Sequence, residues 1–419
     1  MDRLHGLLGV ALILGIAFAF SNNRRRVNYR LVVSGIALQI AIALLIFKVG
    51  PVARFFQLLG HGMGRLEQFA REGVSFVVGG IGVDQGGKIG NYVTGGFVFA
   101  FNVTSTIILV CALVAVLYHF GIMQRVVAVI ARAMNFVMRV SGAESLSNVA
   151  SAFVGQVEAQ VMIRPYLAGM TNSELLASMS GSLACIAGGI LVVYANMGAA
   201  AGMDLAPKLI TASLMAAPGA LVIAKIVFPE TQESQTLGTV KLEVKSDYSN
   251  VIDAVSHGAS DGMRIALNVI AMLIGFIAVI ACLDWLLLSA GHLFNPDFHL
   301  TLNWIFGKLF YPMAWAMGVP SADINNVATL LGQKLTINEF VAFQNLTNQS
   351  VPIVTEKGLL ILSIAICGFA NFSSVGMQIG GIGALVPERR TDLAKLGLKA
   401  LLCGTLASYL SATIAGIVI

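Results

Sequence analysis

"VGQVEA" at residues 154–159 and "LTINEFVA" at residues 335–342 each place one glutamate, Glu158 or Glu339, in chain otherwise fit for lipid. A carboxylate at the centre of a membrane helix costs about 2.5–3.5 kcal/mol on insertion scales. A chain that bears this cost twice, in segments of similar pattern, points to carboxylates with a task. Composition fixes the setting. Of 419 residues, 57% are apolar and 11% charged, with a mean hydropathy of +0.83; a soluble domain carries about 25% charged residues. Apolar runs long enough to cross about 30 Å of hydrocarbon lie at 6–20, 31–49, 97–120, 174–200, 205–228, 264–291, 354–383 and 395–419. The chain reads as an all-α polytopic membrane protein.

Topology follows from the basic residues. The first run is followed by Arg24, Arg25, Arg26 and Arg30, with no small-residue cleavage site before a polar region, so it reads as a first span with its N-terminus outside. Further basic connections come after the third span (Arg125, Arg132, Arg139), the fifth (Lys241, Lys245, Arg264) and the seventh (Arg389, Arg390), while 201–204 and 292–301 carry no Lys or Arg. Both termini are therefore expected outside. Residues 51–96 break the rule with Arg54, Arg65, Arg71 and Lys88; their front half is amphipathic and reads as an interfacial segment. The net charge of +5 reflects insertion, not nucleic-acid binding.

Other features carry little chemistry. Cys111, Cys185, Cys282, Cys367 and Cys403 all sit in apolar runs without metal-ligand spacing, and read as packing residues. "GVDQGGKI" at 82–89 approaches a phosphate-binding loop, but Ile89 stands where a hydroxyl must reach Mg²⁺, and no strand–helix setting is credible. His5, His61, His119, His257, His292 and His299 are scattered near span ends and loops. Residues 229–261 form the only long polar stretch and read as a cytoplasmic linker, partly disordered.

Residues 122–228 and 302–419 repeat one pattern. Each opens with an amphipathic run, "IMQRVVAVIARAMNFVMRVSG" or "LNWIFGKLFYPMAWAMGVPS". Each continues with a stretch too short and polar to span singly, which holds the glutamate. Each then has a long apolar run broken by small and polar residues, "ACIAGGI" at 184–190 or "CGFANFSSVG" at 367–376, and ends in an unbroken span. On the topology above, the first hairpin enters from the cytoplasm and the second from outside, making the repeats inverted. That architecture belongs to secondary transporters, with the site near the midplane; irregular backbone survives at that depth only when shielded or lining a wet cavity. Both hairpin tips and both helix breaks are expected to converge on one polar site. The expected organisation is scaffold helices with an interfacial helix at 1–121, the first repeat at 122–228, linker and sixth span at 229–301, and the second repeat at 302–419.

The chain resembles the concentrative nucleoside transporter family. The resemblance extends over essentially its whole length and rests on Gly155-Gln156-Val157-Glu158 followed by "RPYL" at 164–167, on "INEFVA" at 337–342, and on "CGFANFSS" at 367–374, with "SATIAG" at 411–416 in support. It implies eight spanning helices and two re-entrant hairpins, a homotrimer in the cell (inner) membrane, and a transport domain moving like an elevator against a scaffold. It also implies that Gln156 and Glu158 read the base, that Glu339, Asn371 and Ser374 hold the ribose, and that Phe369 and Ile190 wall the substrate, with Val157 at a position where a hydroxyl commonly meets the base. The chemistry agrees: a carboxylate accepts from two hydroxyls, an amide donates to and accepts from a base edge, and an aromatic wall suits a flat heterocycle.

The coupling ion is where the chain departs from the sodium-dependent pattern. Sodium-dependent members typically have Asn at the position of Ser151 and Ser or Thr at those of Val157 and Cys185. A thiol is a poor ligand for a hard cation, and a serine at 151 reaches less far than an asparagine carbonyl; beyond Ser151 and Cys185, the carbonyls of Val154 and Ile186 would remain. The expectation is proton symport through Glu158 or Glu339, since burial favours a neutral carboxyl. Sodium is the alternative ion. No cofactor, metal centre or catalytic residue is expected: no "HExxH" or Ser-His pairing appears, so the chain does not read as an enzyme. A channel would want an open pore; a secondary transporter of another small polar solute is the runner-up.

Overall fold

The computed structural model describes residues 2–78, 87–89, 92–94, 99–236, 248–294 and 300–419. Helices α1 (Asp2–Ala19) and α2 (Tyr29–Lys48) flank a 3-10 turn at Arg24–Arg26 and lead into the amphipathic α3 (Gly50–Val78). Two short antiparallel strands, β1 (Gly87–Ile89) and β2 (Tyr92–Thr94), follow. Lys88 therefore sits in mid-strand and not at the start of a helix; residues 82–86 lie outside the described residues. Then α4 (Phe99–His119) bends by 78° into α5 (Ile122–Met138).

A helical hairpin follows, its first limb α6 (Gly142–Ser151) and its return the single turns α7 (Glu158–Val161) and α8 (Arg164–Leu167). After it come α9 (Asn172–Ala184) and α10 (Gly188–Ala200), one helix interrupted at 185–187, and the unbroken α11 (Ala206–Val227). The 44-residue α12 (Val251–Phe294) separates this set from its counterpart. The counterpart comprises α13 (Leu302–Leu309), α14 (Tyr311–Ala316), a hairpin of α15 (Ile324–Thr336) and α16 (Glu339–Thr347), the interrupted pair α17 (Glu356–Ile366) and α18 (Phe372–Leu385), and the unbroken α19 (Arg390–Val418). Side chains set these starts: capping boxes at Ser141/Glu144 and Thr171/Glu174 open α6 and α9, and Asn338, Thr355 and Asn371 cap α16, α17 and α18.

Each apolar run of the sequence falls on a helix or an interrupted helix. Among the described residues, four stretches are long and apolar enough to cross a membrane alone: α2, the joined α9–α10, α11, and Pro387–Val418. The break at 367–371 divides α17 from α18, and α12 starts well before its apolar run. Asn250 Oδ1 accepts from Asp253 N at 3.0 Å to start α12. Gly258 and Gly262 then let it lie on α4: a Cβ at either would stand 2.7 Å from Ala112 Cα or Ile108 Cα. This is close packing through small residues four apart, so a stretch read as linker is helix.

Helices α11 and α19 pack on each other and on α9, α2 and α17, forming the buried centre, while α4 pairs with α12 and α3. The bases of the two hairpins lie at opposite ends. Asn22 N donates to Val227 O (2.9 Å) and Lys399 Nζ to Asn22 Oδ1 (2.9 Å). Arg389 reaches the carbonyls of Leu167, Ala168 and Met170. Gly142 N donates to Thr236 O (2.8 Å). The first hairpin's base thus shares an end with the basic connections. At the other end of α1, His5 meets the Trp315 ring at 4.9 Å and Gly6 abuts Ile417. There Asp323 ties the base of the second hairpin to α17, accepting from Val354 N (2.8 Å) and from the Thr355 hydroxyl.

Candidate functional site

The two helix interruptions cross. Phe369 N donates to Cys185 O at 3.2 Å, and a Cβ on Gly368 would collide with the Ala184 carbonyl; only glycine lets the second break lie on the first. Gly188 N donates to Phe153 O at 3.1 Å, tying the first break to the tip of the first hairpin. At that tip Gly155 has φ +125°, a conformation that favours glycine, and its missing Cβ leaves room for Glu158 Oε2.

A cavity of 210 Å³ opens at this crossing. Gln156, Val157, Glu158, Ile190, Glu339, Phe369, Asn371 and Ser374, each expected from sequence, all line it, as does Val154. At one end Asn371 Nδ2 donates to Glu339 Oε2 (2.8 Å), and Tyr194 Oη donates to Glu339 Oε1 (3.3 Å). Asn371 Oδ1 accepts from Ser373 Oγ and Ser374 N, both at 2.8 Å. The amide is thereby oriented with its NH₂ toward the carboxylate. At the other end the Glu158 carboxylate faces the cavity, with its Oε2 lying against Gly155. Gln156 Oε1 is buried without a hydrogen-bond partner, an acceptor left over for a ligand. Phe369 and Ile190 supply apolar wall between these ends. Val157 lines the cavity but turns both γ-carbons toward Gly381 of α18.

Ser151, Cys185 and Ile186 are buried and do not line the cavity. Ser151 Oγ donates to Ser147 O (2.8 Å) and lies 2.9 Å from Ser182 Oγ, within a buried network of Ser147, Ser178, Ser182 and Gln160 that joins α6 to α9. The Cys185 thiol points to Asn148 O at 3.8 Å. No cluster of metal-ligating side chains occurs among the described residues. His5 packs tilted against Trp315 and His257 Nε2 lies 3.5 Å from Asp253 Oδ1; the side chains of His61 and His299 lie outside the described residues.

Sequence reasoning missed several lining residues. Tyr194 of α10 touches Glu339 and stacks on Phe343 at 4.3 Å. Asn268 and Ile265 of α12, with Val103 and Ile107 of α4, close the remaining wall. Asn268 had a signal, as a lone amide within an apolar span. Tyr194 had none, because an aromatic in an apolar run is usually packing.

Three family models match the chain: the N-terminal and C-terminal parts of the Na⁺-dependent nucleoside transporter at residues 8–81 and 208–416, and a nucleoside recognition domain at 100–201. An uncharacterized transporter of Haemophilus influenzae is 40% identical over 427 residues, spanning 100% of this chain and 98% of its own. A nucleoside permease of Helicobacter pylori is 38% identical, spanning 100% and 98%. Among solved structures, CNTnw in an inward-facing substrate-bound state superposes with a TM-score of 0.91 at 38% identity, covering 100% of this chain and 98% of that one.

Proposed function

The chain belongs to the concentrative nucleoside transporter family, and on that premise we propose that it takes up nucleosides across the cell (inner) membrane by ion-coupled secondary transport. One observation carries this reading: a single cavity is lined jointly by both hairpin tips and both helix breaks. Glu339, Asn371 and Ser374 are the groups to hold the ribose, because their hydrogen bonds leave a carboxylate facing the cavity from a fixed frame. Gln156 and Glu158 read the base at the other end, with Phe369 and Ile190 against its faces and Val157 at its edge.

The hairpin bases at opposite ends of the molecule support an inverted repeat of 122–228 and 302–419. The wall from α4 and α12 supports a scaffold of 1–121 and 229–301, against which the repeats move like an elevator in each subunit of a homotrimer. For coupling, the proton is favoured over sodium. The Ser151 hydroxyl is committed to Ser147 and Ser182, and a thiol stands at Cys185; both suit a hard cation poorly. Glu158 and Glu339 are the proton-carrying candidates.

Uridine uptake into proteoliposomes under an inward proton gradient without sodium, or a sodium gradient at equal pH, tests this reading. Concentrative uptake with protons alone is expected, with adenosine and inosine as competitors. Uptake that needs sodium would return the coupling site to the backbone carbonyls of Val154 and Ile186. No competition by any nucleoside would remove the substrate assignment.

A further inference from the structure

Lys334, in the last turn of α15, is fully buried, and its Nζ makes no hydrogen bond. It does not line the cavity. A buried ammonium without hydrogen bonds is costly unless an opposite charge is near, and a charged group at membrane depth normally marks function. Glu339, buried at the start of the next helix, is the carboxylate whose charge bears on it, although the two form no direct ion pair; the thiol of Cys367, at the second helix break, is the other neighbour. Glu158 is placed differently: the limb before it, Gly142–Ser151, carries no basic residue. The two cavity glutamates are therefore electrostatically unlike, although the sequence presents them as a pair.

The second hairpin also mirrors the first. Ser151 ends the first limb of one hairpin and lies with Cys185 near the first break; Lys334 ends the first limb of the other and acts on Cys367 at the second break. Where the first set holds a hydroxyl and a thiol, the second holds a buried cation of its own.

We propose that Lys334 is a positioning residue for the sugar end of the cavity, its ammonium serving as the built-in counter-charge that holds the Glu339 carboxylate toward the ribose hydroxyls. Resting on the ribose assignment above, this makes sugar recognition depend on a residue that touches no substrate. The Asn371 amide and Tyr194 hydroxyl fix the two carboxylate oxygens in direction; Lys334 supplies the charge those neutral donors lack.

The test compares binding of uridine and 2′,3′-dideoxyuridine to the purified full-length protein, wild type and the variants Lys334→Arg, Lys334→Met, Glu339→Gln and Lys334→Met/Glu339→Gln. Loss of a unit charge that acts on a buried carboxylate weakens what that carboxylate holds about tenfold or more. Lys334→Met is expected to weaken uridine to that degree and leave the dideoxy analogue unchanged. Lys334→Arg should keep the wild-type ratio, and in the Glu339→Gln background Lys334→Met should leave it unaltered. Equal weakening of both ligands, or the same loss with Gln at 339, would overturn the proposal. A wild type that does not distinguish the two ligands would sink the ribose assignment instead; the charge pairing is then decided by melting temperature, low in Lys334→Met and restored in the double variant. The same comparison decides if Lys334→Met does not fold: a double variant that also fails to fold overturns the pairing.

Discussion

Glu339 has separate donors on its two oxygens, the Asn371 amide at 2.8 Å and the Tyr194 hydroxyl at 3.3 Å. Glutamine in its place keeps the shape but offers one acceptor, so its NH₂ must face one of those donors. A hydrogen bond to a charged group is worth about 1.5–3 kcal/mol, so Glu339→Gln should weaken uridine binding roughly 10- to 100-fold, read by competition against radiolabelled nucleoside. Asn371→Ala should cost a similar amount, since it removes a donor and also the cap that accepts from Ser374 N. These residues were legible because each is a polar group standing out against apolar chain. Lys334 stands in an equally apolar setting, yet its partner lies in the following helix, and one sequence without a structure does not say which carboxylate a buried lysine serves. Tyr194 was hidden for the opposite reason, as an aromatic ring among aliphatic neighbours looks like core.

At the scale of elements, the interruptions of α9–α10 and α17–α18 were readable from small and polar residues inside apolar runs. Their crossing was not, because the approach of Gly368 to the Ala184 carbonyl joins segments far apart in the chain. The anchoring of the first hairpin was likewise invisible. Lys225, buried in α11, pairs with Glu144 of α6 at 2.8 Å and Glu230 at 3.2 Å, and donates to Ser173 Oγ at 3.0 Å. One lysine thus fastens the hairpin, α9 and the segment after α11 together. Removing one partner of a buried ion pair costs about 3–5 kcal/mol, because the other charge is left unpaired. Lys225→Met should therefore lower the melting temperature markedly in detergent. Adding Glu144→Gln should recover most of the loss, as the stranded charge is then gone. A single variant as stable as wild type would mean that the pair contributes nothing to anchoring the hairpin.

For the whole molecule, the sidedness inferred from arginine and lysine meets an independent geometric pattern. Basic connections separated by hundreds of residues meet at one end: Arg24 lies beside Asn22, which holds Lys399 and the end of α11, and Arg389 caps the base of the first hairpin. The opposite end gathers Trp315, Asp323 and Thr355. Basic residues remain on the cytoplasmic side because translocating them is unfavourable, so we propose that the first end faces the cytoplasm and the second faces outside. Two exposed positions report this directly: Thr231 beside the first hairpin's base and Val354, 77% exposed, beside the second's. In a background lacking the native cysteines, Val354→Cys should react with a membrane-impermeant maleimide on intact cells. Thr231→Cys should react only after the membrane is opened. The reverse pattern would invert the assignment and place the termini inside, and labelling of both on intact cells would break the link between the two hairpins and opposite faces. The result also bears on the proposed transport, since hairpins entering from opposite faces are what an inverted repeat requires.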